Sequence, residues 1–168
     1  MANLIRQQNV IDTNKRALIK YVIVGDGTQE ANTVLLDAGR LAFSLNANSG
    51  ILSTGADRRG NYRTTIKRIS GQAKSNAALI RIQWRGDTNS EIVTVGSGSF
   101  DYDFMSMGDG ATISNPEANP TGNLLISTTG LAANEGLTLF IDLRKDNRDY
   151  DAGQTADPTA FNRGRAAP

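Results

Sequence analysis

In Ala78-Leu79-Ile80-Arg81-Ile82-Gln83-Trp84-Arg85 the residues Ala78, Ile80, Ile82 and Trp84 are apolar, while Arg81, Gln83 and Arg85 take the alternate positions. A period of two sends successive side chains to opposite faces of an extended chain, so this pattern predicts a half-buried strand with a charged outer face. Leu137, Leu139, Ile141 and Leu143 repeat it against Thr138, Asp142 and Arg144, with Phe140 as the exception. Phe100, Tyr102 and Phe104 alternate with Ser99, Asp101 and Asp103, an aromatic face backed by an acidic one. Arg16 to Val24 is rich in β-branched residues and apolar on both faces near its end, which predicts a central strand. Asn32 to Leu36, Tyr62 to Ile69, Glu91 to Val95 and Asn123 to Ser127 complete a set of about eight.

The breaks between these runs carry turn chemistry. Gly25-Asp26-Gly27, Asn48-Ser49-Gly50, Ser70-Gly71, Gly86-Asp87, Gly96-Ser97-Gly98 and Asn134-Glu135-Gly136 supply residues that tolerate positive φ. Short strands with turns at this spacing predict an all-β fold, an antiparallel β-sandwich of jelly-roll-like type with about eight strands. Asp37 to Leu45 is the one short helix predicted, with Asp37 as N-cap and Leu41 and Leu45 at i, i+4. Met105 to Thr121, with Pro116 and Pro120, reads as a long connection, a length seen mostly where a loop is functional or anchored. The expected organisation is an N-terminal arm over 1–13, a sandwich over 14–144 and an extended C-terminal arm over 145–168. That last segment has only Tyr150 and Phe161 as large apolar groups and cannot build a core.

Composition narrows the chemistry. The chain has 168 residues, enough for one domain, and contains neither cysteine nor histidine. That removes disulfides, thiolate nucleophiles, the commonest general base and the Ser-His-Asp triad, so the expectation is a non-enzymatic protein without cofactor or metal. No apolar run approaches the roughly 18 residues of a membrane span, and the first residues lack the apolar core of a secretory signal. A soluble protein made in a cytoplasm is expected.

Charge is sorted along the chain. Between Arg58 and Arg85 lie eight cations and no anion; from Gly86 to Asp142 lie eight anions and no Lys or Arg. Folded into strands, such a chain can present a basic face opposite an acidic one, suited to packing against copies of itself or a larger assembly. Alternatively, basic strands pair with acidic neighbours in ordinary cross-strand ion pairs. On the predicted strand from Tyr62, Arg63 and Lys67 project to one side and Arg68 to the other. With Arg81 and Arg85 they form a candidate patch for an acidic protein surface. The patch lacks the interleaved aromatics of a single-strand binder, and a pI of about 8.0 is modest for a nucleic-acid protein.

Other motifs are weaker. Gly71-Gln72-Ala73-Lys74-Ser75 lacks the glycine spacing of a phosphate-binding loop and reads as a hairpin turn. Gly25-Asp26-Gly27-Thr28 and Asp109-Gly110 lack the ligand series of a calcium loop. Asp101 and Asp103 share a strand face at roughly 6–7 Å, but glycoside chemistry would need one of them with a raised pKa. Arg85-Gly86-Asp87 reads as a strand end plus a turn. Trp84 shares the face of Ile80 and Ile82, which predicts a core residue.

Three stretches carry a resemblance: Arg16 to Glu30 with Tyr21-Val22-Ile23-Val24-Gly25-Asp26-Gly27-Thr28-Gln29-Glu30, Gly122-Asn123-Leu124-Leu125-Ile126-Ser127-Thr128-Thr129-Gly130-Leu131, and Leu137 to Lys145 ending Asp142-Leu143-Arg144-Lys145. Together, about a fifth of the chain, they resemble small virion structural proteins of tailed bacteriophages. The resemblance implies a β-sandwich present in many copies on the phage head, or at its neck, and carries no catalytic residue. It favours a capsid decoration (cement) protein sitting across capsomers. Its partners would be the major capsid protein, other virion proteins and its own copies. Its arms would hold neighbouring subunits, with Arg144, Lys145, Arg148, Arg163 and Arg165 as contacts beside the patch. The alternatives are a head–tail joining or tail protein of the same virion, and a carbohydrate-binding module using Trp84, Tyr62, Tyr102 and Phe100.

Overall fold

Alternation becomes pairing in the computed structural model, which describes residues 3–46, 52–53, 58–75, 78–107, 112–117, 120–146 and 148–150. Ten strands form in the described residues: β1 (Leu4–Asp12), β2 (Arg16–Val24), β3 (Thr33–Leu36), β4 (Thr64–Lys74), β5 (Leu79–Trp84), β6 (Ser90–Val95), β7 (Gly98–Asp103), β8 (Ile113–Ser114), β9 (Leu124–Thr129) and β10 (Gly136–Lys145). Every pairing is antiparallel, and four of them nest. β5 pairs β6, β4 pairs β7, β3 pairs β9 and β2 pairs β10. The chain is therefore one long hairpin, rolled so that β10 also pairs β4 and β9 also pairs β5.

Rolling sorts the strands into two sheets. One runs β1-β2-β10-β4-β7, with the short β8 beside β7 on the edge of β4; the other runs β3-β9-β5-β6. Their inner faces share one core. Ile19, Tyr21, Ile23, Leu139, Ile141, Ile66 and Ile69 from the first sheet meet Ile80, Ile82, Trp84, Leu124 and Ile126 from the second. Each fully buried aliphatic side chain stabilises by about 1.5–3 kcal/mol relative to exposure, and this layer holds the sheets together. The fold is an all-β antiparallel sandwich, and Trp84 is core as expected, 1% exposed. No helix among the described residues is long and apolar enough to cross a membrane.

Several expected boundaries move. Residues 4–12, expected as an arm, form edge strand β1 on β2. The body does not stop at Arg144 either: Lys145 closes β10, and Asp149 and Tyr150 are buried. Residues 151–168 lie outside the described residues. Asp37 caps a single 3-10 turn over Ala38–Arg40, its side chain accepting from the Gly39 amide, in place of a longer helix. Ser70-Gly71 is no turn, because β4 continues to Lys74. A side chain at Gly71 would collide with the Thr138 carbonyl and reach within 2.9 Å of the Phe100 ring, so glycine permits close approach of β10 and β7. The same continuity places Gly71 to Lys74 within β4, where a hairpin turn was expected.

Candidate functional site

The cations expected to meet a partner fall into three groups. Arg63, Arg144, Lys145 and Arg148 converge, with Lys15, on a cleft of about 580 Å³ at one end of the larger sheet. Thr65, Thr112 and Asp146 complete its lining. Lys67, Arg81 and Arg85 lie elsewhere. Lys67 is the unpaired residue of a bulge, since Asp142 pairs Arg68 while Leu143 pairs Ile66. That bulge shifts the inward parity of β4 from Thr64 and Ile66 to Ile69 and Ala73, leaving Arg68 exposed. Arg81 pairs with Glu91 on the neighbouring strand, and Arg85 follows the end of β5. Arg163 and Arg165 lie outside the described residues.

The cleft is built on ion pairs with one buried carboxylate, Asp149, and two half-buried ones, Asp12 and Asp146. Asp149 accepts from Arg63 Nε at 2.7 Å, Arg63 Nη2 at 2.8 Å, the Arg63 amide at 2.9 Å and Arg59 Nη1 at 3.0 Å. Burial alone would raise the pKa of Asp149, but the bonds from Arg63 and Arg59 outweigh it and hold the carboxyl below its ordinary value. Lys145, whose side chain is fully buried, donates to Asp12, to the Thr13 carbonyl at 2.8 Å and to the Ala42 carbonyl at 2.9 Å. Burial lowers its pKa, against the opposing pull of Asp12. Arg148 grips Asp146 through Nε at 3.0 Å and Nη2 at 2.7 Å, which holds Asp146 down to about 2.

Two cations remain for a partner. Among the described residues no carboxylate lies within ion-pair distance of Lys15 or Arg144. Both are exposed, and the Thr65 hydroxyl beside them is buried without a hydrogen-bond partner. Lys15 was not singled out from sequence. Only the register brings it here, where Arg16 faces Arg144 and the Lys145 amide donates to the Lys15 carbonyl at 2.9 Å.

The chain matches no known protein family, no characterised protein and no solved structure.

The cleft thus offers an ammonium and a guanidinium to carboxylates or other oxyanions, on a floor of satisfied ion pairs. The other candidate sites resolve differently. Asp101 is held below its ordinary pKa by Arg68, opposite to what a general acid requires. Asp103 accepts from the Met105 amide at 3.1 Å. Among the described residues no three carboxylates cluster as a metal site would need. Tyr62 and Trp84 are buried and provide no sugar platform, whereas Phe100 and Tyr102 are partly buried.

Proposed function

We propose that the chain is a non-enzymatic structural protein of a tailed-phage virion, a decoration (cement) protein that docks on the capsid through its basic cleft. The observation that carries the docking surface is the convergence of Lys15, Arg63, Arg144, Lys145 and Arg148 on one cleft. A cationic face of this kind suits many weak contacts across capsomers, each reinforced by its neighbours. The nested pairing supports the reading, since an eight-strand hairpin rolled into β2-β10-β4-β7 and β3-β9-β5-β6 is compatible with a jelly roll, an architecture used by viral capsid proteins. The stretches that resemble virion proteins fall on β2, β9 and β10 with the turns around them. Fold alone does not assign function, so the cleft must carry the test.

That test is co-sedimentation of the purified protein with capsids lacking it. Lys15→Glu and Arg144→Glu, both at exposed positions, are expected to weaken binding at least tenfold without changing the thermal midpoint. Binding that ignores both substitutions would reject the cleft as the docking surface. Copies spread over the whole head would favour decoration; a single ring at one vertex would favour the neck or tail reading.

A further inference from the structure

Among the described residues the larger sheet ends at β1 on one side and at β7 and β8 on the other, and the smaller sheet ends at β3 and β6. An edge strand shows a row of unpaired N–H and C=O groups, a template for another strand unless charge, brevity or a bulge blunts it. Most of these edges are blunted. β8 has two residues and β3 four, and β6 bulges at Ile92 and carries Glu91. β7, if paired with itself, would bring Asp101 and Asp103 close to their own copies. β1 differs. It is nine residues long, runs regularly from Leu4 to Asn9 before the bulge at Val10, and carries Arg6 as its single charge up to Ile11.

Exposed apolar side chains collect on the same flank. Seven large ones are exposed among the described residues, and four of them lie here. Leu4 and Val10 stand on β1, each 48% exposed; Val24 pairs Leu4, and Val34 on β3 lines a groove of about 480 Å³ with Leu4. Ile5, in the same groove, is only partly buried against the core. Open backbone groups beside clustered exposed apolar side chains are the signature of a docking surface.

The residues of β1 select the partner. Side chains directly opposite in an antiparallel pair share a face. A second β1 can therefore meet the first only in registers that keep Leu4, Arg6, Gln8 and Val10 on one face and Ile5, Gln7 and Asn9 on the other. A two-fold axis at Arg6 would set two like charges opposite each other. An axis at Gln8 would run the pairing through the bulge. An axis at Gln7 does neither: Ile5 opposes Asn9, Arg6 opposes Gln8, Gln7 opposes its own copy, and exposed Leu4 meets exposed Val10.

We propose that β1 pairs with β1 of a second copy of this chain about a two-fold axis at Gln7, joining the two larger sheets into one. The interface uses the same strand from both sides, so a single contact makes a closed dimer. Main-chain hydrogen bonds supply the attraction, as in other edge additions, and Leu4 against Val10 adds apolar burial at both ends. The dimer does not rest on the virion reading and uses none of the cleft's residues.

The chain has no cysteine, so a single introduced thiol reports which surfaces of two copies touch. Gln7, Asn9 and Ser99 are all exposed. In full-length Gln7→Cys two thiols face each other across the axis, and mild oxidation is expected to give disulfide-linked dimers at least tenfold faster than in Ser99→Cys on β7. Asn9→Cys is the register control: its two thiols stand four positions apart, about 13 Å along the strands, and should lag as far behind. Sedimentation equilibrium of the unmodified chain should show monomer and dimer in exchange. Leu4→Lys with Val10→Lys sets ammonium against ammonium at exposed positions, and is expected to weaken dimerisation at least tenfold with the thermal midpoint unchanged. A chain that stays monomeric throughout a dilution series overturns the dimer. So does a Gln7→Cys rate equal to either control, and so does a dimer that ignores the two lysines, which assigns self-association to another surface.

Discussion

Lys145 donates to one carboxylate and two backbone carbonyls, and three acceptors match the three N–H donors of an ammonium. A planar guanidinium cannot reproduce that geometry, so Lys145→Arg should fail to rescue. Lys145→Met leaves Asp12 and both carbonyls short of a donor, and is expected to cost about 3 kcal/mol in urea denaturation. Asp149 is the counterpart on the other side of the cleft. Asp149→Asn keeps the shape but loses the charge that holds two arginines, an expected loss of about 2–3 kcal/mol. Asp146 and Asp149 also set the acid limit. Both carboxyls titrate lower in the folded chain than in the unfolded one, so the unfolded chain takes up protons first as pH falls. Their contribution is complete above the ordinary value of 3.8 and drains away toward pH 2, as the urea midpoint followed across that window should record. In the Asp146→Asn, Asp149→Asn double variant the decline should be shallower.

Strand β4 shows what an element adds to its residues. Gly71→Ala would place a methyl against the Thr138 carbonyl and the Phe100 ring, and is expected to cost about 2–3 kcal/mol by overcrowding, measured as a fall in thermal midpoint. A single sequence cannot separate a glycine that ends a strand from one that admits a neighbour; both are punctuation until the pairing is known. The same limit hid the bulge at Lys67, which reverses the parity of everything after it and undid the expected placement of Arg68. Strands buried on one face, β5 and β10, were legible because half their residues must be apolar. β1 was not, since as an edge strand it buries neither face, and its bulge at Val10 breaks what alternation Leu4–Asp12 could show. The four nested pairings were beyond reach of pattern alone, because nothing local specifies which distant strand a strand will meet.

Across the whole molecule, the sorting of charge along the chain is cancelled in part: five of the eight cations of the basic run find a carboxylate. Arg58 pairs with Asp37, and Arg59 and Arg63 with Asp149, carboxylates outside the acidic run; only Arg68 with Asp101 and Arg81 with Glu91 follow the cross-strand reading. The cleft draws its cations from the β1–β2 turn, the approach to β4 and the end of β10, segments far apart in sequence, which is why composition announced a basic run but not where a free one would lie. The exposed pairs Arg68–Asp101 and Arg81–Glu91 contribute little to stability, and the buried Asp149 clamp is little screened. Raising salt from about 0.1 M to about 1 M, which shortens the Debye length from about 10 Å to about 3 Å, should therefore leave the thermal midpoint nearly unchanged while steeply weakening the capsid association proposed above. The boundary of the body is the sharper matter. Tyr150 is fully buried, its ring lies 5.6 Å from that of Tyr62 at a tilt of 46°, and its hydroxyl donates to the Ala38 carbonyl after β3, so Lys145, Asp149 and Tyr150 belong to the body and not to an arm. A chain ending at Tyr150 is expected to fold cooperatively with a thermal midpoint within a few degrees of the full-length value. A chain ending at Arg144 loses the Lys145 cage, the Asp149 clamp and the Tyr150 ring together, and is expected to lack dispersed methyl resonances in a one-dimensional proton spectrum. If both truncations fold equally well, Tyr150 is not a core residue and the body ends at β10 after all.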